Sequence, residues 1–167
     1  GFNVTTDIIV GFPGETEHEW VQTLEFVARL GFGDLHIFSY SPRRGTLAAT
    51  MPDQVPSAVK RARSQALHAL ARRLRREHLA QQVGTLQPVL IEGFETSGAG
   101  AGAGATQVGY TPSYLLVRVP SGGADLSNRI LPVRIDRLID EAECGSPEGN
   151  ARPPSLLLGG MLDTGTE

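Results

Sequence analysis

A chain of 167 residues, 40% hydrophobic and 20% charged, with a formal net charge of −3, is long enough to bury a core and reads as soluble and globular. No apolar run approaches the roughly 20 residues a membrane-spanning helix needs. The single cysteine, Cys144, excludes an internal disulfide and any cysteine-held metal cluster built from this chain alone, and a reducing, cytoplasmic setting is expected.

Taken in chain order, residues 4–10 alternate as a strand and stop at a Gly11-Phe12-Pro13-Gly14 turn. A helix follows Glu15 or Thr16, with Trp20, Leu24, Val27 and Leu30 on one face and Gly31 as its stop. Glu15, Glu17 and Glu19 are expected in its first turn, where the helix dipole favours carboxylates. A second strand spans residues 35–40, with His36, Phe38 and Tyr40 on one face and Leu35, Ile37 and Ser39 on the other. This strand–loop–helix–strand grammar is the repeating unit of an α/β barrel. Chemistry in such barrels sits where strands end, so residues 11–16 and the loop Ser41-Pro42-Arg43-Arg44-Gly45-Thr46 are the candidate site loops. Asp7 is unusual in mid-strand; it either points into a polar lumen or is a salt-bridged structural carboxylate. His36 reads as a hydrogen-bonded packing residue and Trp20 as core.

Residues 56–83 read as one long helix with Gly84 as its stop. Its apolar stripe is Leu67, Leu70, Ala71 and Leu74, and its cations are Lys60, Arg61, Arg63, Arg72, Arg73, Arg75 and Arg76, opposed by Glu77. Such a helix either touches RNA phosphates or presents a solvated face. After it, β-rich runs at 86–94, 113–119 and 129–135 predict a small antiparallel barrel or sandwich. A Gly/Ala-rich insert at 97–105 is expected as a mobile loop, Cys144 as a free thiol in a turn, and residues from about 142 as poorly ordered apart from a short strand at 156–158. Residues 1–84 hold 10 Lys/Arg against 8 Asp/Glu, whereas residues 85–167 hold 5 against 10, so the β-module is acidic.

The stretches Thr6-Asp7-Ile8-Ile9-Val10-Gly11-Phe12-Pro13-Gly14-Glu15-Thr16 and Tyr40-Ser41-Pro42-Arg43-Arg44-Gly45-Thr46 together resemble the C-terminal half of radical S-adenosylmethionine tRNA methylthiotransferases. The resemblance covers roughly residues 1–136. It implies an α/β plus all-β architecture: residues 1–55 as the last strands and helix of a radical SAM (partial TIM) barrel, 56–84 as a basic linker helix, 85–141 as a TRAM-like RNA-binding β-barrel, and 142–167 as a flexible tail. Gly109-Tyr110-Thr111-Pro112-Ser113-Tyr114-Leu115-Leu116-Val117-Arg118-Val119 looks most like the branch that methylthiolates C2 of N6-threonylcarbamoyladenosine beside the anticodon. Sister branches act on isopentenyladenosine in tRNA or on a ribosomal protein aspartate.

The cofactors implied are S-adenosyl-L-methionine and 4Fe-4S clusters, and the partner is a tRNA anticodon stem-loop. The family's cluster cysteines, in a CxxxCxxC loop, are absent from these residues. A lone β–loop–α–β unit cannot close a barrel either, so the chain is expected to be the C-terminal part of a longer protein, inactive by itself. By the same resemblance Ile9, Gly11, Phe38 and Tyr40 flank adenosylmethionine, and Asp7, Arg44, Gly45 and Thr46 face the substrate side. A second reading is a non-enzymatic RNA-binding module. A third, residues 11–16 as a phosphate-cradling loop, lacks the Gly-Lys-Ser/Thr of a P-loop and places Glu15 against the phosphate.

Overall fold

The computed structural model describes residues 3–94, 106–139 and 156–161, which fall into two compact units, 1–78 and 79–167. In the first unit, β1 (Thr5–Val10) and β2 (Asp34–Ser39) pair in parallel from Thr5↔Asp34 to Val10↔Ser39. They are joined by α1 (Glu17–Leu30) and followed by a short 3-10 turn, Leu47–Thr50, and by α2 (Ser57–Ala80). Strand alternation turns Ile8 and Val10, with Leu35 and Ile37, toward the helices. There they join Trp20, Val27, Leu67 and Leu74 in one core, with Leu24, Leu70 and Ala71 packed around it.

Thr16 caps α1 in a reciprocal capping box: its hydroxyl accepts the Glu19 N–H, and the Glu19 carboxylate accepts the Thr16 N–H at 2.9 Å. Glu15 therefore precedes the helix instead of lying in its first turn. At the other end the helix stops at Gly31, as expected. Leu30, expected on the buried stripe, is exposed; at 100° per residue it lies about 80° around the helix from Trp20. The second strand starts one residue earlier than its sequence pattern indicated and ends at Ser39.

The second unit is a closed five-stranded barrel of β3 (Leu86–Phe94), β4 (Thr106–Tyr110), β5 (Leu116–Pro120), β6 (Ile130–Ile139) and β7 (Leu156–Met161), in the order β3-β4-β5-β7-β6. Val89, Ile91, Val117, Val119, Val133 and Ile135 fill it, each fully buried. Three features depart from the sequence reading. Strand β4 was not anticipated as a separate element. Residues 111–115 form a turn, in which the Tyr114 N–H donates to Thr111 O and the Thr111 hydroxyl accepts the Leu115 N–H, so the run expected at 113–119 begins only at Leu116. Finally, the short strand expected at 156–158 within the tail runs over 156–161 and is a barrel stave: β7 lies antiparallel to β6 but parallel to β5, so the barrel is mixed instead of wholly antiparallel. The Gly/Ala insert at 97–105 and Cys144 lie outside the described residues.

Candidate functional site

The loop leaving β1 is built from its sequence. Pro13 and Gly14 occupy the central positions of a turn in which the Glu15 N–H donates to Phe12 O at 2.9 Å, and Gly14 has the φ of +85° that a type II turn demands. Glu15 then folds back. Its carboxylate accepts the Gly11 N–H at 2.8 Å and the Arg63 guanidinium at 2.7 Å. Arg63, from the second turn of α2, also donates to Glu17 and lies 5.7 Å from the Trp20 ring centre. The Gly11 amide is thus committed to a carboxylate, which removes the phosphate-cradle reading of this loop.

The strand alternation leaves the second face of the β1–β2 sheet open. Asp7 and Ile9 lie on it opposite their register partners His36 and Phe38. Ile9 is 54% and Phe38 53% exposed, two large apolar side chains side by side on an uncovered face. Asp7 is exposed without an ion pair among the described residues, so the structural salt bridge is not formed. His36 is exposed as well, and the packing role expected of it is corrected: odd and even positions of β2 point to opposite faces, and Leu35 and Ile37 take the covered one.

Gly11 and Tyr40 come together elsewhere, around Lys60. Gly11 has φ +73°, and the Lys60 stem occupies the place where a Cβ would stand. The neighbour that fills the space beside Gly11 is thus a lysine of the same chain. Tyr40, just past β2, sets its ring edge-on to Phe12 at 5.4 Å, lies under the Lys60 ammonium at 5.7 Å and accepts Lys60 Nζ on its carbonyl at 2.9 Å. Arg44, Gly45 and Thr46 form an exposed turn closed by the Thr46 N–H and hydroxyl on Arg43 O.

The cations of α2 divide. Arg63 is buried on Glu15 and Glu17, and Arg75 pairs with Asp34. Arg61, Arg72 and Arg73 face outward. Beside Arg61 lies an open cleft of about 370 Å³, lined by Ser39, Tyr40 and Ser41 from the strand end and by Ser57, Lys60, Arg61, Ser64 and Gln65 from α2. Sequence reasoning missed the Arg63–Glu15 clamp and this cleft. A signal for the cleft existed, since Ser57, Arg61 and Ser64 repeat at helical spacing on one face. Among the described residues, no three His, Cys, Asp or Glu side chains are grouped to hold a metal ion.

The fold and its open face define a class: an α/β unit whose sheet exposes one wall, followed in sequence by a small closed β-barrel. No protein-family profile matches the chain. By sequence it is similar to part of the tRNA-2-methylthio-N(6)-dimethylallyladenosine synthase of Akkermansia muciniphila, 42% identical over 134 residues, which is 80% of this chain and 28% of that protein. The protein of the same name from Moorella thermoacetica is 40% identical over 137 residues, 82% of this chain and 30% of that one. That of Corynebacterium urealyticum is 50% identical over 95 residues, 57% of this chain and 17% of its own length. The chain thus spans less than a third of the length of these curated relatives. Their names carry the dimethylallyl group and not the threonylcarbamoyl group that residues 109–119 brought to mind. No described helix is long and apolar enough to cross a membrane.

Proposed function

We propose that these residues are the C-terminal part of a radical SAM tRNA methylthiotransferase that acts on N6-dimethylallyladenosine, the isopentenyladenosine of the sequence reading. The observation that carries it is the 42% identity over 80% of the chain to a synthase of that name. The threonylcarbamoyl branch has no comparable support, and its suggestion rested on one turn and two strand edges of the barrel.

In this reading residues 1–55 supply the last two strands of the barrel, residues 56–84 a linker, and residues 85–141 with β7 a TRAM-like RNA-binding module. The open face of β1 and β2 becomes part of the lumen wall. Its exposed Ile9–Phe38 pair suits the flat adenine of adenosylmethionine, since an aromatic and a branched aliphatic side chain offer it apolar contact. Tyr40 and Gly11, held around Lys60, shape the rim beside them, and Asp7, Arg44, Gly45 and Thr46 face the tRNA side. When bound, adenosylmethionine with the family's iron–sulfur clusters supplies the radical that starts the reaction. This chain has one cysteine, so the cluster ligands belong to other residues of the full protein. What these residues do is narrower: they bind and orient one side of the cofactor and cover it from water.

Mass spectrometry of tRNA nucleosides from a strain lacking the gene tests the proposal. The 2-methylthio derivative of N6-dimethylallyladenosine should disappear and its unthiolated precursor accumulate. Loss of the threonylcarbamoyl derivative instead would restore the first branch, and an unchanged nucleoside profile would leave only a binding module.

A further inference from the structure

We propose that the cleft between the end of β2 and the first turns of α2 holds backbone phosphates of an RNA strand, and that Arg61, His68 and Arg72 continue the contact along the outer side of the helix. The chemistry of the cleft is that of an anion site. Serine hydroxyls from two elements and a glutamine amide supply neutral donors, Lys60 and Arg61 supply charge, and no carboxylate lines it. Tyr40 is one of the residues that line it; its hydroxyl is buried and has no hydrogen-bond partner among the described residues. Buried polar groups are rarely left without a partner, ordered water or an ion included.

Charge along the chain agrees. Residues 40–76 hold nine Lys/Arg and one carboxylate, Asp53. The fold neutralises at least two of the nine internally, Arg63 on Glu15 and Glu17 and Arg75 on Asp34. Arg61, Gln65, His68 and Arg72 are all exposed, and their spacing sets them on one stripe of α2. From Arg61 to Arg72 the stripe rises about 16 Å. A single phosphate or nucleotide cannot follow that length, whereas a strand with a charge every ~3.4 Å of rise can. The stripe has no large apolar side chain, which an interfacial membrane helix would need. The choice of RNA rests on the tRNA reading above. The site also accounts for an awkward distribution: the barrel unit is acidic, so the positive surface for RNA lies on the helix.

The test is fluorescence anisotropy of a short labelled RNA stem-loop with unmodified adenosines, titrated with the 167-residue chain across a salt series. The double variant Arg61→Glu/Arg72→Glu should bind more weakly and lower the slope of log K against log salt by about two, one per contact removed. Arg61→Lys should keep most of the affinity, and Arg129→Glu in the barrel unit should change little. Unchanged Trp20 fluorescence will show that the variants fold; Lys60 is avoided because its stem packs on Gly11. An unchanged salt slope in the double variant overturns the inference, as does a larger loss from Arg129→Glu. Competition by inorganic phosphate as complete as by unlabelled RNA would assign the cleft to free anions, and preferential binding to phosphatidylserine vesicles would assign the stripe to a membrane; either overturns it. So does the absence of RNA binding, and in each case the methylthiotransferase reading still stands or falls by its nucleoside assay.

Discussion

Arg63 closes on Glu15 at 2.7 Å with both side chains largely out of solvent, joining the second turn of α2 to the loop that leaves β1. Glu15 holds the Gly11 N–H with the same oxygen, so the guanidinium, the carboxylate and the amide form one relay that fixes the loop. Removing one member leaves a buried charge uncompensated. Arg63→Ala should cost about 3 kcal/mol. Glu17→Gln touches the solvent-exposed arm of the clamp and should cost less than about 0.5 kcal/mol. Trp20, the sole tryptophan and part of this core, reports both in urea titrations. Equal midpoints for the two variants would contradict a buried clamp.

Gly11 and Gly14 share a left-handed backbone but not their surroundings. A Cβ at Gly14 meets nothing within 4 Å, whereas at Gly11 it meets the Lys60 stem. Gly14→Ala should therefore lose only the backbone term, about 1 kcal/mol. Gly11→Ala should lose more, and a cycle with Lys60→Ala should return a coupling of about 1 kcal/mol. A coupling near zero would mean that Lys60 moves aside without cost.

The contrast between these glycines marks what was legible in the sequence. Local chemistry was readable: Pro13 and Gly14 announced the turn, Thr16 and Glu19 the helix start, and alternation the two strand faces. Non-local chemistry was not. Nothing within a window around Glu15 tells that its partner is 48 positions away, so it was placed in the helix with its acidic neighbours. Burial of Arg63 likewise depends on which side of α2 meets the sheet. In the barrel, the run Leu156-Leu157-Leu158 was legible as a short strand, but its place as a stave was not, because that depends on pairing with β5 and β6. Of the site residues, Ile9, Phe38 and Asp7 share a face by periodicity alone, while Tyr40 and Gly11 meet only through Lys60.

Acid should loosen the start of α1 before the rest of the unit. The Glu19 carboxyl is held below its ordinary value of 4.5, first by the Thr16 backbone N–H and then by the Thr16 hydroxyl. A depressed carboxyl contributes stability that is present above 4.5 and lost as pH falls through the lowered value. Amide exchange in the first turn of α1 should therefore quicken on acidification through that range. In Glu19→Gln the same amides should lack that acid dependence. An identical pH profile in the two proteins would remove the capping carboxylate as its cause.

Gln107 is a fully buried polar side chain of the barrel unit. Its amide donates to Ala124 O at 2.6 Å and accepts the Leu126 N–H at 3.1 Å, so it ties the loop between β5 and β6 to β4. Gln107→Leu leaves both backbone groups unpaired and should cost about 2 kcal/mol or more. The loss should appear as faster hydrogen exchange at Leu126, with the first unit's Trp20 signal unchanged.

Ile9 and Phe38 are half exposed among the described residues, so replacing them separates a ligand role from a packing role. On the methylthiotransferase reading proposed above, Phe38→Ala in the full protein should raise the KM for S-adenosylmethionine severalfold, because aromatic contact with a flat ring is worth about 0.5–1.5 kcal/mol beyond area. Its effect on the stability of the unit should be small, since the side chain is already half exposed. The conservative Phe38→Tyr keeps the ring and should keep the KM. Leu35→Ala, on the covered face three residues earlier in β2, should do the reverse, costing about 2–3 kcal/mol of stability with the KM unchanged in the folded fraction. If Phe38→Ala destabilised the protein as much as Leu35→Ala and left the KM alone, the open face would be a packing surface and the cofactor would have to lie elsewhere.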